Sequence, residues 1–280
     1  MQETIWQCRW SPTLGDLEGS HQEVWGTVDY TSNYDPTVFF GVYGLRDFIA
    51  LWQHKGRKAI LWCGSDIQHF LLGYWLDPEG KMRIHPTTLS SWIDTYCESY
   101  VENETEQVAL RSVGIRSKVV PSFMGDVKNF EVSFKPGNKL YTSVSGNDFE
   151  LYGWNLLPTL AGKNPDIQFH CYGNTIPFDG GASHPLNLII HGRVPKEQMN
   201  AEIKEMQGAL RLTQFDGFSE IIAKSILMGQ WPVSLIEYPH MLKLNEIKKI
   251  LHKKDPNTFG RNYYLDRINK FPWNNKQQNI

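Results

Sequence analysis

The feature that most constrains this chain is an order of elements. Residues 37–66 read TVFFGVYG, LRDFIALWQHKG and KAILWCGSDI: an apolar run ending in glycines, an amphipathic stretch, then a second apolar run. Short apolar runs bounded by glycine predict buried strands, and Leu45, Phe48, Ile49, Leu51 and Trp52 fall on one helical stripe that Gly56 stops. Strand, helix, strand is a βαβ unit, and it implies a parallel sheet whose ligands lie at the carboxyl ends of the strands.

The alternation continues. Helices are predicted around 67–76 and 87–98, a short strand at SYV, a helix over ETEQVALRSVG with Gly114 at its end, and a strand at KVVPSF. A polar stretch, MGDVKNFEVSFKPGN, interrupts the series, and a second one follows. It runs KLYTSVSG (strand), DFELYGWNLLPTLAGK (helix), DIQFHCYGN and PLNLIIHGRV (strands), KEQMNAEIKEM (helix), ALRLTQ (strand), GFSEIIAKSILMG (helix) and WPVSLIEY (strand). Two α/β series joined by a polar linker predict two Rossmann-like domains facing across a cleft. The last forty residues read as helical and aromatic and are expected to pack back over it. Residues 1–35 show no clear period.

Composition excludes several classes. With 28 Lys and Arg against 30 Asp and Glu, the net charge of -2 gives no general attraction to polyanions. Residues 243–270 carry eight basic against three acidic side chains, +5, which leaves -7 for the rest. That stretch reads as a solvated helical face or as an anionic contact with nucleic acid or lipid head groups. The cysteines at 8, 63, 97 and 171 have no C-x-x-C spacing, so no zinc site or disulfide framework is indicated, and free cytosolic thiols are expected. No leader and no membrane-spanning segment is expected either, so the predicted location is cytoplasmic.

The chemistry falls to the loops after strands. In the second series these hold Ser145 and Gly146, Tyr172 with Gly173 and Asn174, Arg193 with Val194, and the turn from Thr213 to Glu220. Glycines admit a ligand close to the backbone and helix starts attract phosphate, so a nucleotide-diphosphate site is plausible there. Asp216-Gly217 opens the stretch FSEIIAKSIL. Asp216 is either a plain helix cap or, with the N–H groups of Phe218 and Ser219 and with Lys224, part of a ligand-facing helix end. In the first series the loops are GVYGLRD and CGSD, and Asp66 is a turn former, a general base or a hydrogen-bond acceptor for a sugar hydroxyl. No G-x-G-x-x-G stands in either, which disfavours a dinucleotide dehydrogenase. There is also no P-loop, G-x-S-x-G elbow, H-E-x-x-H or D-x-D metal pair.

Taken in order, FFGVYG, LWCGSDI, VENETEQVALRSVGI, KVVPSF, LYTSVSG, FHCYGN, IIHGRVPKEQM and FDGFSEIIAKSILMGQWPVS resemble the GT-B glycosyltransferases, particularly the retaining sugar-nucleotide transferases of family 4, over residues 37–238. The resemblance implies that Asp216 contacts the transferred sugar and that the backbone of Gly217, Phe218 and Ser219 meets sugar and phosphates. Lys224 stands where the family has a second Glu on the nucleotide ribose, and Glu220 lies on the neighbouring turn. Cys63 replaces the His of a His-Gly-Thr-Asp-Ile loop that otherwise keeps Asp66. Gly41 and Gly44 resemble the loop under the donor phosphates. Arg193 or Lys224 would supply the positive charge that SVSG lacks.

The resemblance therefore implies an α/β, GT-B protein. Its parts would be an N-terminal acceptor-side domain over 1–125, a linker over 126–138, a nucleotide-sugar domain over 139–242 and a C-terminal helical segment over 243–280. Asp66 and Asp216 would be catalytic, with Arg46, Cys63 and Ser65 on the acceptor side and the diphosphate against 146–148 and 217–219. The donor is a nucleotide-diphosphate sugar as co-substrate; no further cofactor and no metal are expected. The acceptor, whether saccharide, lipid or nucleic acid, is left open. Two alternatives stand beside the enzyme: a transferase acting on a modified nucleic-acid base, as in some viral GT-B proteins, and a GT-B-like binding module without turnover.

Overall fold

The computed structural model describes residues 4–17, 19–72, 86–144, 149–173 and 184–276. The chain divides into two compact units: Met1–Asp126 with Phe215–Phe218 and Arg267–Ile280 in the first, Val127–Gln214 with Ser219–Asp266 in the second.

The first unit is built on strands β1 (Gln7–Trp10), β2 (Val28–Asp29), β3 (Thr37–Phe40), β4 (Lys58–Leu61), β5 (Glu98–Val101) and β6 (Ser117–Val119). They form one parallel sheet in the order β2-β1-β3-β4-β5-β6. Helices α1 (Ser20–Trp25), α2 (Leu45–Gln53), α3 (Ser65–Leu72), α4 (Pro86–Tyr96) and α5 (Glu104–Ser112) connect them. All four residues of β3 and of β4 are buried, because helices cover both faces of the sheet. Phe39 and Ile60 enter a core with Phe48, Leu51, Trp62 and Phe70, while Val38, Phe40, Ala59 and Leu61 enter the opposite one with Trp6, Trp25 and Trp273.

β1 is not expected from the sequence: it does alternate, with Cys8 and Trp10 packing into one core and Gln7 and Arg9 bonding Ser32 and Asp47, but four residues are too few for that period to stand out. The last described residues belong to the same core. Asn269, at a φ of 58°, accepts from the Phe123 N–H at 3.0 Å and donates back to the Phe123 carbonyl at 2.7 Å. Trp273 then stacks on Phe271, with ring centroids 4.5 Å apart.

The second unit has strands β7 (Lys139–Val144), β8 (Gln168–Gly173), β9 (Leu188–Gly192), β10 (Gly208–Arg211), β11 (Val233–Ser234) and β12 (Leu242–Lys243), parallel in the order β12-β11-β10-β7-β8-β9. Helices α6 (Leu157–Lys163), α7 (Lys196–Ile203), α8 (Glu220–Leu227) and α9 (Thr258–Leu265) accompany them. Two predicted elements shrink. The helix expected over 148–163 forms only from Leu157, because Gly153 takes a φ of +75° beside Leu212 and breaks the right-handed path. The strand expected over 231–238 pairs only at Val233–Ser234. Residues Leu244–His252, read as helical, form a 3-10 segment with Ile247 and Ile250 buried. Among the described residues, no helix is long and apolar enough to cross a membrane.

Candidate active site

The carboxyl ends of β3, β4 and β5 gather a set of buried acids. After β4 the chain turns at Gly64, whose φ of +90° is in the left-handed region that favours glycine, and enters α3. Asp66 in the first turn of α3 is fully buried, and its carboxylate collects three backbone N–H groups: Val42 at 3.0 Å, Cys63 at 2.9 Å and Ile67 at 2.8 Å. One side chain thus ties the β3 loop to the β4 loop. Burial raises the Asp66 carboxyl from 3.8 to about 6, against the lowering effect of the three amides.

The β3 loop has its own anchor. Asp47 accepts from the Tyr43 N–H at 3.1 Å and from the Ser11 hydroxyl at 2.8 Å, and it pairs with Arg9 at 2.9 Å. Gly41 and Gly44 lie in this loop, and Arg46 is exposed on α2. Ser65 is half-buried. Cys63 is partly buried, and desolvation, reinforced by Asp66, pushes its thiol well above the usual range.

After β5 come Glu102 and Asn103. Asn103 caps α5, accepting from the Glu106 N–H at 3.0 Å. Its amide Nδ2 donates to the carbonyls of Asp216 at 2.9 Å and Gly217 at 3.1 Å. Glu102 accepts the Phe218 N–H at 2.9 Å through Oε2, and through Oε1 it accepts the Ser122 N–H at 3.2 Å and the Ser122 hydroxyl. The turn Phe215–Phe218 is thereby part of the first unit. Contact is close: a Cβ on Gly217 would fall on the Glu102 carboxylate, and one on Gly64 would come within 2.8 Å of the Asp216 carbonyl carbon.

Glu106 completes the cluster. Its Oε2 accepts from the Glu102 N–H at 2.7 Å, while Oε1 is buried with no hydrogen-bond partner among the described residues. Burial drives the carboxyls of both glutamates upward, and the neighbouring Asp216 adds to the rise in each.

The first unit therefore unites Gly41, Gly44, Cys63, Ser65, Asp66, Asp216, Gly217 and Phe218 among the expected site residues. The cap reading of Asp216 is corrected: the N-cap of α8 is Ser219, three residues on, and its own side chain makes no capping bond. Glu102, Asn103, Glu106, Asp47 and Arg9 were not anticipated. In VENETE the Asn103 and Glu106 pair reads as an ordinary capping box, which hides the donations of Asn103 to the carbonyls of Asp216 and Gly217.

Arg46, on α2, is also in the first unit, and the remaining expected residues lie in the second. Gly173 ends β8 at a φ of +117° against the Val144 carbonyl. Tyr172 is turned inward, its hydroxyl donating to Glu202 at 2.6 Å and its ring stacked on His191 at 4.3 Å. Arg193 is exposed and Val194 half-exposed between β9 and α7. Glu220 opens α8, and Lys224 on that helix is buried, its ammonium donating to Asn200 at 3.1 Å. Burial lowers the Lys224 pKa. Ser145, Gly146 and Asn174, with the 146–148 stretch, lie outside the described residues.

No family model matches the sequence, and no curated protein does. Solved structures do match in fold. TarM superposes with a TM-score of 0.55 at 13% identity, over 95% of this chain and 56% of TarM. Sucrose-phosphate synthase from Thermosynechococcus elongatus gives 0.58 at 10% identity, over 91% of this chain and 73% of that one. The pneumococcal O-GlcNAc transferase GtfA, solved with UDP and GlcNAc, gives 0.52 at 10% identity, over 87% and 56%. The chain thus spans little more than half the length of TarM or GtfA. The two parallel six-stranded sheets are the GT-B fold.

Proposed function

We propose that this chain is a glycosyltransferase that moves a sugar from a nucleotide-diphosphate sugar to an acceptor, with retention and without a metal ion. The observation that carries the reading is the Asp216-Gly217-Phe218 turn, pinned by Glu102 and Asn103 beside Asp66 in a GT-B fold. GtfA, a fold relative, was solved with UDP and GlcNAc, which supports a nucleotide-sugar donor here.

In this reading Asp216 faces the transferred sugar. Asp66, which holds a proton up to about pH 6, meets a sugar hydroxyl on the acceptor side with Ser65 and Arg46. Backbone N–H groups after Gly217 stabilise charge on the leaving diphosphate. Arg193, exposed after β9, is the basic side chain proposed for the donor phosphates.

A second reading has its own observation. Lys224 stands where the resemblance expects a ribose-binding acid, yet its ammonium is buried on Asn200, which favours a donor-binding module without turnover. Thermal-shift and calorimetric titration with UDP, GDP, ADP, TDP and CMP, free and as sugar conjugates, separates the outcomes, with NAD as control. A specific nucleotide that stabilises the protein, together with release of that nucleotide from its sugar conjugate in EDTA, supports the enzyme. Binding without release selects the module, and no binding removes both.

A further inference from the structure

We propose that Glu102 and Asn103 are positioning residues, a clamp that fixes the 216–218 backbone so that the Asp216 carboxylate is held at the ends of β4 and β5; this rests on the reading of Asp216 as the sugar-facing acid.

The clamp grips one turn from both sides of its peptide planes. Asn103 Nδ2 reaches the carbonyls of Asp216 and Gly217, and Glu102 Oε2 takes the following amide, that of Phe218. Two carbonyls and one N–H over three residues leave the Asp216 Cα little freedom to turn, while its side chain stays half-exposed. Gly217 is required because any Cβ there would occupy the place of the Glu102 carboxylate. Gly64 is required for the same reason from the other side, against the backbone of Asp216 and Gly217.

A purely structural role explains this poorly. Holding a turn whose Gly217 and Phe218 are buried calls for a hydrogen-bond acceptor, not for a buried acid, and a second buried acid, Glu106, has one oxygen without a hydrogen-bond partner among the described residues. Groups of this kind lower stability compared with apolar residues of the same volume. Local rules broken at such a cost mark places where geometry is needed for a task other than stability. The same two residues sit at the carboxyl end of a parallel strand, where α/β sheets place ligands.

The test uses two variants of the full chain. Asn103→Ser keeps a side-chain oxygen for the Glu106 N–H but loses both donations to the turn. Glu102→Gln keeps the volume but can no longer accept through both ends. Three quantities are read: melting temperature, amide hydrogen exchange of peptides covering 215–218, and kcat and KM for the sugar conjugate of whichever nucleotide raises the melting temperature in the screen above. The expected result for Asn103→Ser is a folded protein with exchange in 215–218 faster by about tenfold, kcat lower by about tenfold or more and KM within about twofold. Exchange indistinguishable from wild type in folded Asn103→Ser overturns the clamp, and so does an unchanged kcat. Should Glu102→Gln not fold, Asn103→Ser carries the test alone. Should wild type cleave no nucleotide sugar, the proposed function fails by itself, and the exchange comparison still decides the clamp.

Discussion

Asp66→Asn offers a perturbation whose size follows from the structure. In the folded protein the Asp66 carboxyl is raised from 3.8 to about 6 by burial. The folded state therefore holds a proton that the unfolded chain releases between about pH 4 and pH 6, and stability falls as pH rises through that window. A rise of this size corresponds to about 3 kcal/mol, present at pH 3.5 and lost by pH 7. Asparagine cannot titrate, so its stability lacks this component.

The substitution also has a constant cost. Its oxygen can replace Oδ1 and accept from Cys63 and Ile67, but its NH2 then meets the Val42 N–H. One unmatched buried donor costs about 1–3 kcal/mol. Wild type should thus lead by that amount at pH 3.5, and the lead should shrink by about 3 kcal/mol on the way to pH 7, so that the two curves meet or cross. Glu102 and Glu106 titrate with the same sign, but both proteins contain them; the charge of Asp66 also raises Glu106, so its removal adds in the same direction. The assay is urea unfolding followed by tryptophan fluorescence, since Trp25, Trp62 and Trp273 are fully buried in the first unit. A wild-type lead that stays constant from pH 3.5 to pH 7 would refute the argument that burial dominates at Asp66.

Three further outcomes are expected. Asp216→Asn should reduce sugar transfer by about a hundredfold or more with its melting temperature kept, because the N-cap of α8 is Ser219 and no cap is lost; wild-type rates would remove the sugar contact. Gly217→Ala should cost about 2–4 kcal/mol by displacing Glu102 and its bond to Phe218, whereas Gly137→Ala, with nothing within 4 Å of its Cβ, should be neutral in the same melting experiment. Lys224→Met should gain about 1 kcal/mol at pH 7 by removing a buried cation that donates to the neutral amide oxygen of Asn200; since burial lowers that pKa, the gain should disappear as pH approaches 10.5 and the lysine discharges in both states. A tenfold loss of nucleotide affinity in this variant would return Lys224 to the donor site.

The architecture is legible in the chain because the physics that sets it is local. Alternating apolar runs and amphipathic stretches with glycine stops force βαβ units, and Gly64 and Gly217 stand where a Cβ would strike the Asp216 backbone and the Glu102 carboxylate. The four residues of β1 are too few for their polar and apolar alternation to stand out, and a helix reads through Gly153 because a positive φ leaves no trace in periodicity. Which loops meet depends on the folded chain. Glu102 and Asn103 lie more than a hundred positions before the turn they hold, and nothing in VENETE distinguishes a capping pair from a clamp. Asp66 likewise becomes a proton-holding acid only once folding has excluded water around it, since desolvation depends on everything packed against a group rather than on its neighbours in the chain.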